Sequence, residues 1–179
     1  MDSFAYNKYS NLPNYSYNCI KYLLETDEMT WKLMFYSDAD AWKKPNLTLS
    51  QKQSLIYGGQ KDETLFRVFS DEGQINAWVH EACVIRIWPY SIFPENRTVG
   101  TISMNFDVYA HYRVNTLSNY TTRTDTICQI IIEKFNGWNG IGALGNLFFD
   151  VMGNKENREY PSGQIPFKGK RIVMSAKVG

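Results

Sequence analysis

The sequence predicts an α+β fold: an antiparallel or mixed sheet of about four to five strands, with helices packed on one face. Two patterns predict it. Apolar residues recur at helical spacing in the first 60 residues and again near residue 130, whereas residues 101–115 alternate between apolar and polar side chains. Helices and strands in separate runs are typical of this class. The 179 residues, 44% of them hydrophobic, are enough for one core, so we expect a single domain over residues 18–179.

The N-terminal segment, residues 1–17, is predicted to be a flexible, extended arm rich in Tyr and Asn. It contains Pro13, and its aromatic residues follow neither a helical nor a strand period. A segment of this kind becomes ordered when it docks on a neighbouring subunit, and the expected docking residues are Phe4, Tyr6 and Tyr9.

Three helices are predicted next. The string "CIKYLLETDEMTWKLMFY" has apolar residues at helical spacing on both sides of the acidic run "ETDE", which predicts two helices separated by a turn. After a turn at Pro45, either Thr48 or Ser50 is the expected N-cap of a short third helix, which ends at Gly58 and Gly59.

A hairpin of two strands follows. The run "ACVIRIWPYSIF" is β-branched and aromatic, "PENRTVG" supplies a turn, and "TISMNFDVYAHYRVN" alternates throughout. One face of the second strand is apolar, and the other carries Ser103, Asn105, Asp107, Tyr109, His111 and Arg113. Because an antiparallel sheet can face water on one side, we expect these six residues to form a polar face at a subunit interface or along a channel.

A helix and two strands complete the predicted elements. The run "TDTICQIIIEKF" predicts a helix that is capped by Thr124 or Asp125 and packs across the sheet, and "NLFFDVM" and "KGKRIVMSAKV" predict strands. The intervening "NGIGALGN" has the G-x-G-x-x-G spacing of a dinucleotide site. Its glycines follow a helix and precede a strand, the reverse of the order such a site needs. We therefore interpret this segment as a helix C-cap and loop, and we expect no cofactor.

Charge and cysteine content exclude several classes of protein. A formal net charge of +1 gives no general reason to bind nucleic acid or a membrane. Lys168, Lys170 and Arg171 form a local basic strip, which either contacts a DNA backbone or is a solvated strand edge. The three cysteines are odd in number and widely separated, so we expect small apolar residues in a reducing compartment rather than a disulfide framework. No signal peptide or long apolar run is present, which favours synthesis in a cytoplasm.

Candidate catalytic and metal residues are few. Asp107 and His111 share a strand face about 13 Å apart, so an active site that used both would need a third element. His80, Glu81 and Cys83 fit no standard zinc spacing. We expect neither enzyme activity nor a metal site. Two alternatives stay open: a small hydrolase that uses Asp107 and His111, and a small-molecule or peptide-binding domain lined by the many aromatic residues.

The order of these elements resembles that of tail-terminator and neck proteins of tailed bacteriophages. The resemblance rests on the helical pair "YNCIKYLLETDEMTWKLMFY", the two hairpin arms, the helix in "TRTDTICQIIIEKF" and the strands "GNLFFDVM" and "FKGKRIVMSAKV", over roughly residues 18–178. It is one of layout, without a diagnostic motif. It implies a small α+β subunit that forms a ring, typically of six copies, at the head-proximal end of a tail tube.

Further expectations follow from this resemblance. Such a ring stops tube polymerisation and binds the tail tube protein and the head-completion and neck proteins, with passing contact to DNA in the channel and none to a membrane. The subunit is made in the bacterial host cytoplasm and is localised in the virion. Other neck components are alternatives: head-tail adaptors are commonly helical, and stoppers tend to be small β-barrels. The strands disfavour an adaptor and the central helix disfavours a stopper, so we expect a terminator.

Overall fold

The computed structural model describes residues 12–59, 66–71, 81–95, 99–149 and 167–178. Its helices are α1 (Leu12–Thr26), α2 (Met29–Phe35), α3 (Leu49–Ser54), α4 (Tyr112–Asn115) and α5 (Arg123–Phe135), with a 3₁₀ turn at Ala41–Lys43. Its strands are β1 (Val68–Phe69), β2 (Cys83–Pro94), β3 (Gly100–His111), β4 (Phe148–Phe149) and β5 (Phe167–Val178). The predicted α+β class is confirmed.

The strands form one mixed sheet in the order β1-β2-β3-β5-β4. β2 and β3 form the predicted antiparallel hairpin, from Cys83 opposite Ala110 to Pro94 opposite Gly100. β5 is antiparallel to β3 along the whole length of both strands. The described parts of the two outer strands are short. β1 pairs in parallel with β2 over two residues, and β4 pairs antiparallel with β5 over two residues. β4 begins at Phe148, two residues later than predicted from "NLFFDVM", and residues 150–152 of that predicted strand lie outside the described residues. β1 was not predicted.

The main core lies between the sheet and the helices, as predicted. The apolar face of β3 contributes Ile102, Met104, Phe106, Val108 and Ala110, all with no exposed surface. These residues belong to one buried cluster with residues from all three larger helices, α1, α2 and α5. Burial of apolar side chains at helical spacing holds these helices on the sheet. None of the described helices has both the length and the apolar character that a membrane crossing requires.

A smaller apolar cluster lies on the opposite face of the sheet. Its buried members are Phe69, Ala82, Val84, Tyr109 and Phe167, with Tyr57 and Phe66 packed against them. Val84 is directly opposite Tyr109 on the neighbouring strand, so the two side chains share this face. The sheet is therefore covered on both faces at this end, not on one alone.

The helix N-termini correct two predictions and confirm a third. α1 begins at Leu12, so the predicted arm of residues 1–17 ends too late; Tyr15 is buried and the Asn18 amide donates to the Ile141 carbonyl at 2.9 Å. Phe4, Tyr6 and Tyr9 lie outside the described residues. Thr48 caps α3 as predicted, in a capping box with Gln51. α5 is capped by Thr122, whose side chain accepts from the backbone N–H of Asp125, rather than by Thr124 or Asp125.

The glycine-rich segment connects a helix to a strand, which confirms its interpretation as a cap and loop. α5 ends at Phe135, and Gly137 follows with φ of 84°, in the left-handed region that ends many helices. Gly142 has φ of 92° within the loop that leads to β4. No helix N-terminus follows these glycines in the described residues up to 149, so the geometry that binds a pyrophosphate is not formed there.

Candidate functional site

The predicted polar face of β3 exists as a face but is buried. Ser103, Asn105, Asp107, Tyr109 and His111 alternate with the core residues as predicted, yet none of the five is more than 8% exposed. Arg113 does not belong to this face, because β3 ends at His111 and the chain turns into α4. The prediction that these residues line a channel or a subunit interface is therefore wrong for the isolated subunit. Side chains of the two neighbouring strands, among them Trp88 of β2 and Arg171 of β5, pack on this polar face of β3.

Asp107 is the centre of a buried ion pair. Arg171 on β5 donates from Nε to Oδ1 at 2.5 Å and from Nη2 to Oδ2 at 2.9 Å, and the Trp88 indole N–H on β2 donates to Oδ2 at 3.1 Å. Asp107 has no exposed surface and the Arg171 side chain is 12% exposed. The guanidinium also lies 5.4 Å from the centre of the Trp88 ring. The carboxylate is thus fully engaged by two neighbouring strands.

Tyr109 covers the next part of the face. Its ring lies against Gly169 of β5 so closely that a Cβ built on Gly169 would be 2.4 Å from Tyr109 Cδ1. The buried Arg86 guanidinium lies 5.9 Å from the same ring. Only glycine fits at position 169 without displacing the tyrosine.

Small polar residues occupy the other half of the face. The hydroxyls of Ser103 and Ser175 are hydrogen-bonded at 3.1 Å across β3 and β5. Asn105 is fully buried, and its side-chain amide makes no hydrogen bond to any of the residues that the structure describes. This half of the face holds no titratable group on β3.

His111 and Arg113 form a separate corner at the end of β3. His111 Nδ1 accepts from the backbone N–H of Arg113 at 3.3 Å, and its ring stacks on Tyr112 at 4.8 Å. The Arg113 side chain is 62% exposed and donates to Glu81 at 2.8 Å. Asp107 and His111 therefore have different partners, and no described residue bridges them into the pair that the hydrolase alternative needs.

The predicted basic strip is divided between the two faces of the sheet. Lys168 and Lys170 are opposite Ala110 and Val108, on the helix-covered face, whereas Arg171 is opposite Asp107 on the other face. Lys170 forms an ion pair with Asp125 of α5. The strip prediction is wrong because consecutive strand residues point in opposite directions.

The cysteines are buried and unpaired, as their spacing predicted. Burial raises the pKa values of the Cys83 and Cys128 thiols to about 12, and it raises that of Cys19 as well. In the described part of the chain no three His, Cys, Asp or Glu residues are placed to hold a metal ion. His80 lies outside the described residues.

Arg123 was not identified from the sequence. It is fully buried at the start of α5 and donates to the carbonyls of Val114 (2.5 Å), Leu33 (2.6 Å), Ser37 (2.9 Å) and Asp38 (2.5 Å). Burial lowers the pKa of this guanidinium. The side chain thus joins α2, the segment after it and α4. No local pattern marks such a residue, since its partners lie up to 90 positions away.

The conformation of Tyr120, in the turn between α4 and α5, was also missed. Tyr120 is 97% exposed and has φ of 65°, a left-handed value that side chains other than glycine rarely adopt. The polar string "LSNYTT" predicts a turn, but nothing in it indicates that an aromatic residue occupies the left-handed position.

Comparison with known proteins identifies a family. A family model described as YomW matches residues 27–175, more than four fifths of the chain. The matched range runs from the turn after α1 into β5, and so includes the Asp107–Arg171 pair and the turn at Tyr120. No curated protein matches the sequence.

Proposed function

Because the chain belongs to the YomW family, a family of Bacillus-phage proteins, we propose that it is a structural virion protein that forms a ring at the head-proximal end of the tail. In this position the ring ends the tail tube and joins it to the head. Its proposed partners are further copies of itself, typically six in all, the tail tube protein and the head-completion proteins. DNA passes through the ring without specific contacts.

The observation that supports this proposal best is the set of exposed apolar side chains. The described large hydrophobic residues that are 39% to 97% exposed are Tyr17, Phe35, Leu49, Tyr90, Phe93, Tyr112, Tyr120, Leu144 and Phe148. Seven of these nine are aromatic, and four of the seven lie outside the helices: Tyr90, Phe93, Tyr120 and Phe148. Aromatic residues are enriched at protein interfaces. Because the polar face of β3 is internal, contacts around a ring have to use such surfaces.

The topology favours a terminator over the other neck components. The strands form an open sheet in a linear order, which differs from the small β-barrel expected of a stopper. Among the described residues the sheet also has three strands of 12 residues each, which differs from the helical architecture expected of an adaptor. The architectures expected of a stopper and of an adaptor are those that the resemblance to phage neck proteins implies.

Native mass spectrometry over a range of protein concentrations, with negative-stain images of any large species, tests the proposal. We expect a discrete closed oligomer. In a second assay the purified protein is added to polymerising tail tube protein, and we expect tubes of limited length with one capped end. A protein that stays monomeric and leaves tube length unchanged would contradict the proposed function. Tube length with an equal amount of heat-denatured protein is the control.

A further inference from the structure

The chain contains two Asn-Gly pairs, Asn136–Gly137 and Asn139–Gly140, both in the segment that follows α5. Both asparagines and both glycines are exposed. An asparagine followed by glycine readily loses its side-chain amide, because glycine has no Cβ to hinder its own backbone nitrogen when that nitrogen attacks the asparagine side chain. The two pairs are chemically identical, so any difference in their reactivity comes from the fold.

The first pair is held in an unreactive arrangement. The Gly137 N–H donates to the Leu147 carbonyl at 2.7 Å. The Asn136 side-chain oxygen accepts from the Phe149 N–H at 3.1 Å. At Asn136 ψ is 115°, which turns the Gly137 nitrogen away from the asparagine side chain, whereas ring closure needs the Cα–Cβ and C–N bonds nearly eclipsed. Attack at this pair therefore requires that two hydrogen bonds break and that the backbone rotates.

The second pair lacks both hydrogen bonds. No described residue forms a hydrogen bond with the Gly140 N–H or with the Asn139 side chain. Both residues also lie outside the helices and strands. The Gly140 nitrogen can therefore reach the Asn139 side chain without the loss of a hydrogen bond.

Packing prevents any residue other than glycine at position 140. A Cβ built on Gly140 would be 2.5 Å from Cζ2 of Trp138. This indole stacks on Tyr22 of α1 with ring centres 4.5 Å apart, and it meets Phe135 of α5 edge-on at 5.2 Å. It cannot move aside without losing these contacts. The reactive pair is therefore a consequence of the packing of α1 against α5.

We propose that Asn139 is a site of spontaneous deamidation in the folded protein and that Asn136 is protected from the same reaction. The Gly140 nitrogen attacks Cγ of Asn139 and loses its proton, a C–N bond forms, and the side-chain amide leaves as ammonia. Water then opens the resulting cyclic imide. Opening at the side-chain carbonyl gives aspartate. Opening at the main-chain carbonyl gives isoaspartate, in which the backbone continues through the side chain.

The reaction alters a loop that contacts α1. Both products add a negative charge at position 139, and isoaspartate also adds a methylene group to the main chain shortly before Ile141. Ile141 is fully buried, and its carbonyl accepts from the Asn18 amide of α1 at 2.9 Å. A longer backbone displaces either the buried side chain or the hydrogen-bonded carbonyl, so we expect isoaspartate to weaken the attachment of α1.

Mass spectrometry of the aged protein tests the site. The purified protein is incubated at 37 °C and pH 8 and digested at acidic pH, where imide formation is slow. Fragmentation by electron transfer then distinguishes isoaspartate from aspartate. Because two hydrogen bonds protect the first pair, we expect Asn139 to react about tenfold faster than Asn136, or more, in the native protein. In denaturant neither pair is restrained, and we expect similar rates.

Asn139→Gln is the matched variant, because glutamine keeps the amide but forms a cyclic imide far more slowly. We expect no product at position 139 in this variant and an unchanged, slow reaction at Asn136. Its Tm should stay constant during incubation, whereas the Tm of the parent should fall as isoaspartate accumulates. A constant Tm in a parent sample rich in isoaspartate would contradict the expected effect on α1.

A native rate at Asn139 that is equal to or lower than the rate at Asn136 would overturn the inference. A product that contains aspartate without isoaspartate would show that water attacks the side chain directly, which would overturn the proposed route through Gly140. None of these results bears on the proposed ring, which is tested by the oligomeric state and by tube length.

Discussion

At the residue scale, Asp107 is held by three hydrogen bonds from two neighbouring strands and has no exposed surface. Asp107→Ala removes one charge of a buried ion pair together with three hydrogen bonds, so we expect a loss of about 3–5 kcal/mol in the free energy of unfolding. Urea denaturation measures it. Glu95→Ala is the control, since the Glu95–Lys177 pair is exposed and its removal should change the stability little.

The same variant addresses the hydrolase alternative. If Asp107 served catalysis, its removal would abolish an activity while the fold persisted. A stability within about 1 kcal/mol of the parent would show that water reaches Arg171 after the change, contrary to the buried pair described above.

The buried thiols give a second expectation at this scale. Burial raises the pKa of Cys83 and of Cys128 from 9.0 to about 12, so the native protein holds neutral, unreactive thiols. At pH 8 a thiol-specific disulfide reagent should not label the native protein, and it should label three thiols per chain in denaturant. Above pH 9 the unfolded chain loses these protons first, so their contribution to stability falls between about pH 9 and pH 12. Rapid labelling of the native protein would mean that a cysteine is accessible.

At the scale of elements, Arg123 joins α2, the segment after it and α4 through four backbone carbonyls. Arg123→Met removes all four donors and leaves buried carbonyls unsatisfied, so we expect a loss of at least about 3 kcal/mol. Lys134→Met is the control, because Lys134 is exposed and donates to a single carbonyl, that of Thr26. Hydrogen exchange should show faster opening at residues 33–38 in Arg123→Met only; unchanged exchange there would contradict the role of the guanidinium.

The outer edge of β2 is protected against pairing with another strand. The backbone N–H of Ile85 donates to the Arg67 carbonyl oxygen and so points away from β3. Because N–H groups alternate in direction along a strand, those at positions 87 and 89 would point the same way. Position 89 is a proline, which has no N–H to donate to an added strand. A register shift between Pro89 and Ser91 interrupts the edge further. We expect Pro89→Val to increase amyloid-dye fluorescence during prolonged incubation, whereas Pro45→Val in a loop should not. Equal fluorescence in both variants would show that the proline does not protect this edge.

Alternation predicted the faces of β3 correctly, because the direction of successive side chains is a local property of a strand. It could not predict that the polar face is covered, since Arg171 is 64 positions from Asp107 and no local pattern relates them. The same limit explains the missed Arg123, whose partners are up to 90 positions away. The strand was also predicted to continue through Arg113, although the chain turns into α4 at Tyr112.

At the scale of the whole molecule, Arg113 tests whether the His111 end of β3 takes part in assembly. The Arg113–Glu81 pair is exposed, so Arg113→Glu should change the free energy of unfolding little. We expect it to reduce ring formation or tail joining, because it places two like charges side by side on an exposed surface at the His111 end of β3. Oligomer fraction and Tm are measured together, with Lys21→Glu on α1 as an equally exposed control. A large fall in Tm with normal assembly would contradict this expectation.

The position of β5 in the sheet also determines when the subunit becomes complete. β5 lies between β3 and β4, yet it is the last of the described strands to be synthesised, 55 residues after β3 ends. Translation adds about 5–20 residues per second, so synthesis of these 55 residues takes roughly 3–11 s. During this time one edge of β3 lacks its neighbouring strand, and Arg171, which pairs with Asp107, has not been synthesised. The surface formed by Phe148 beside Ser175 cannot exist before then. Under the proposed function, only subunits whose translation is finished can assemble, which keeps nascent chains out of the proposed ring.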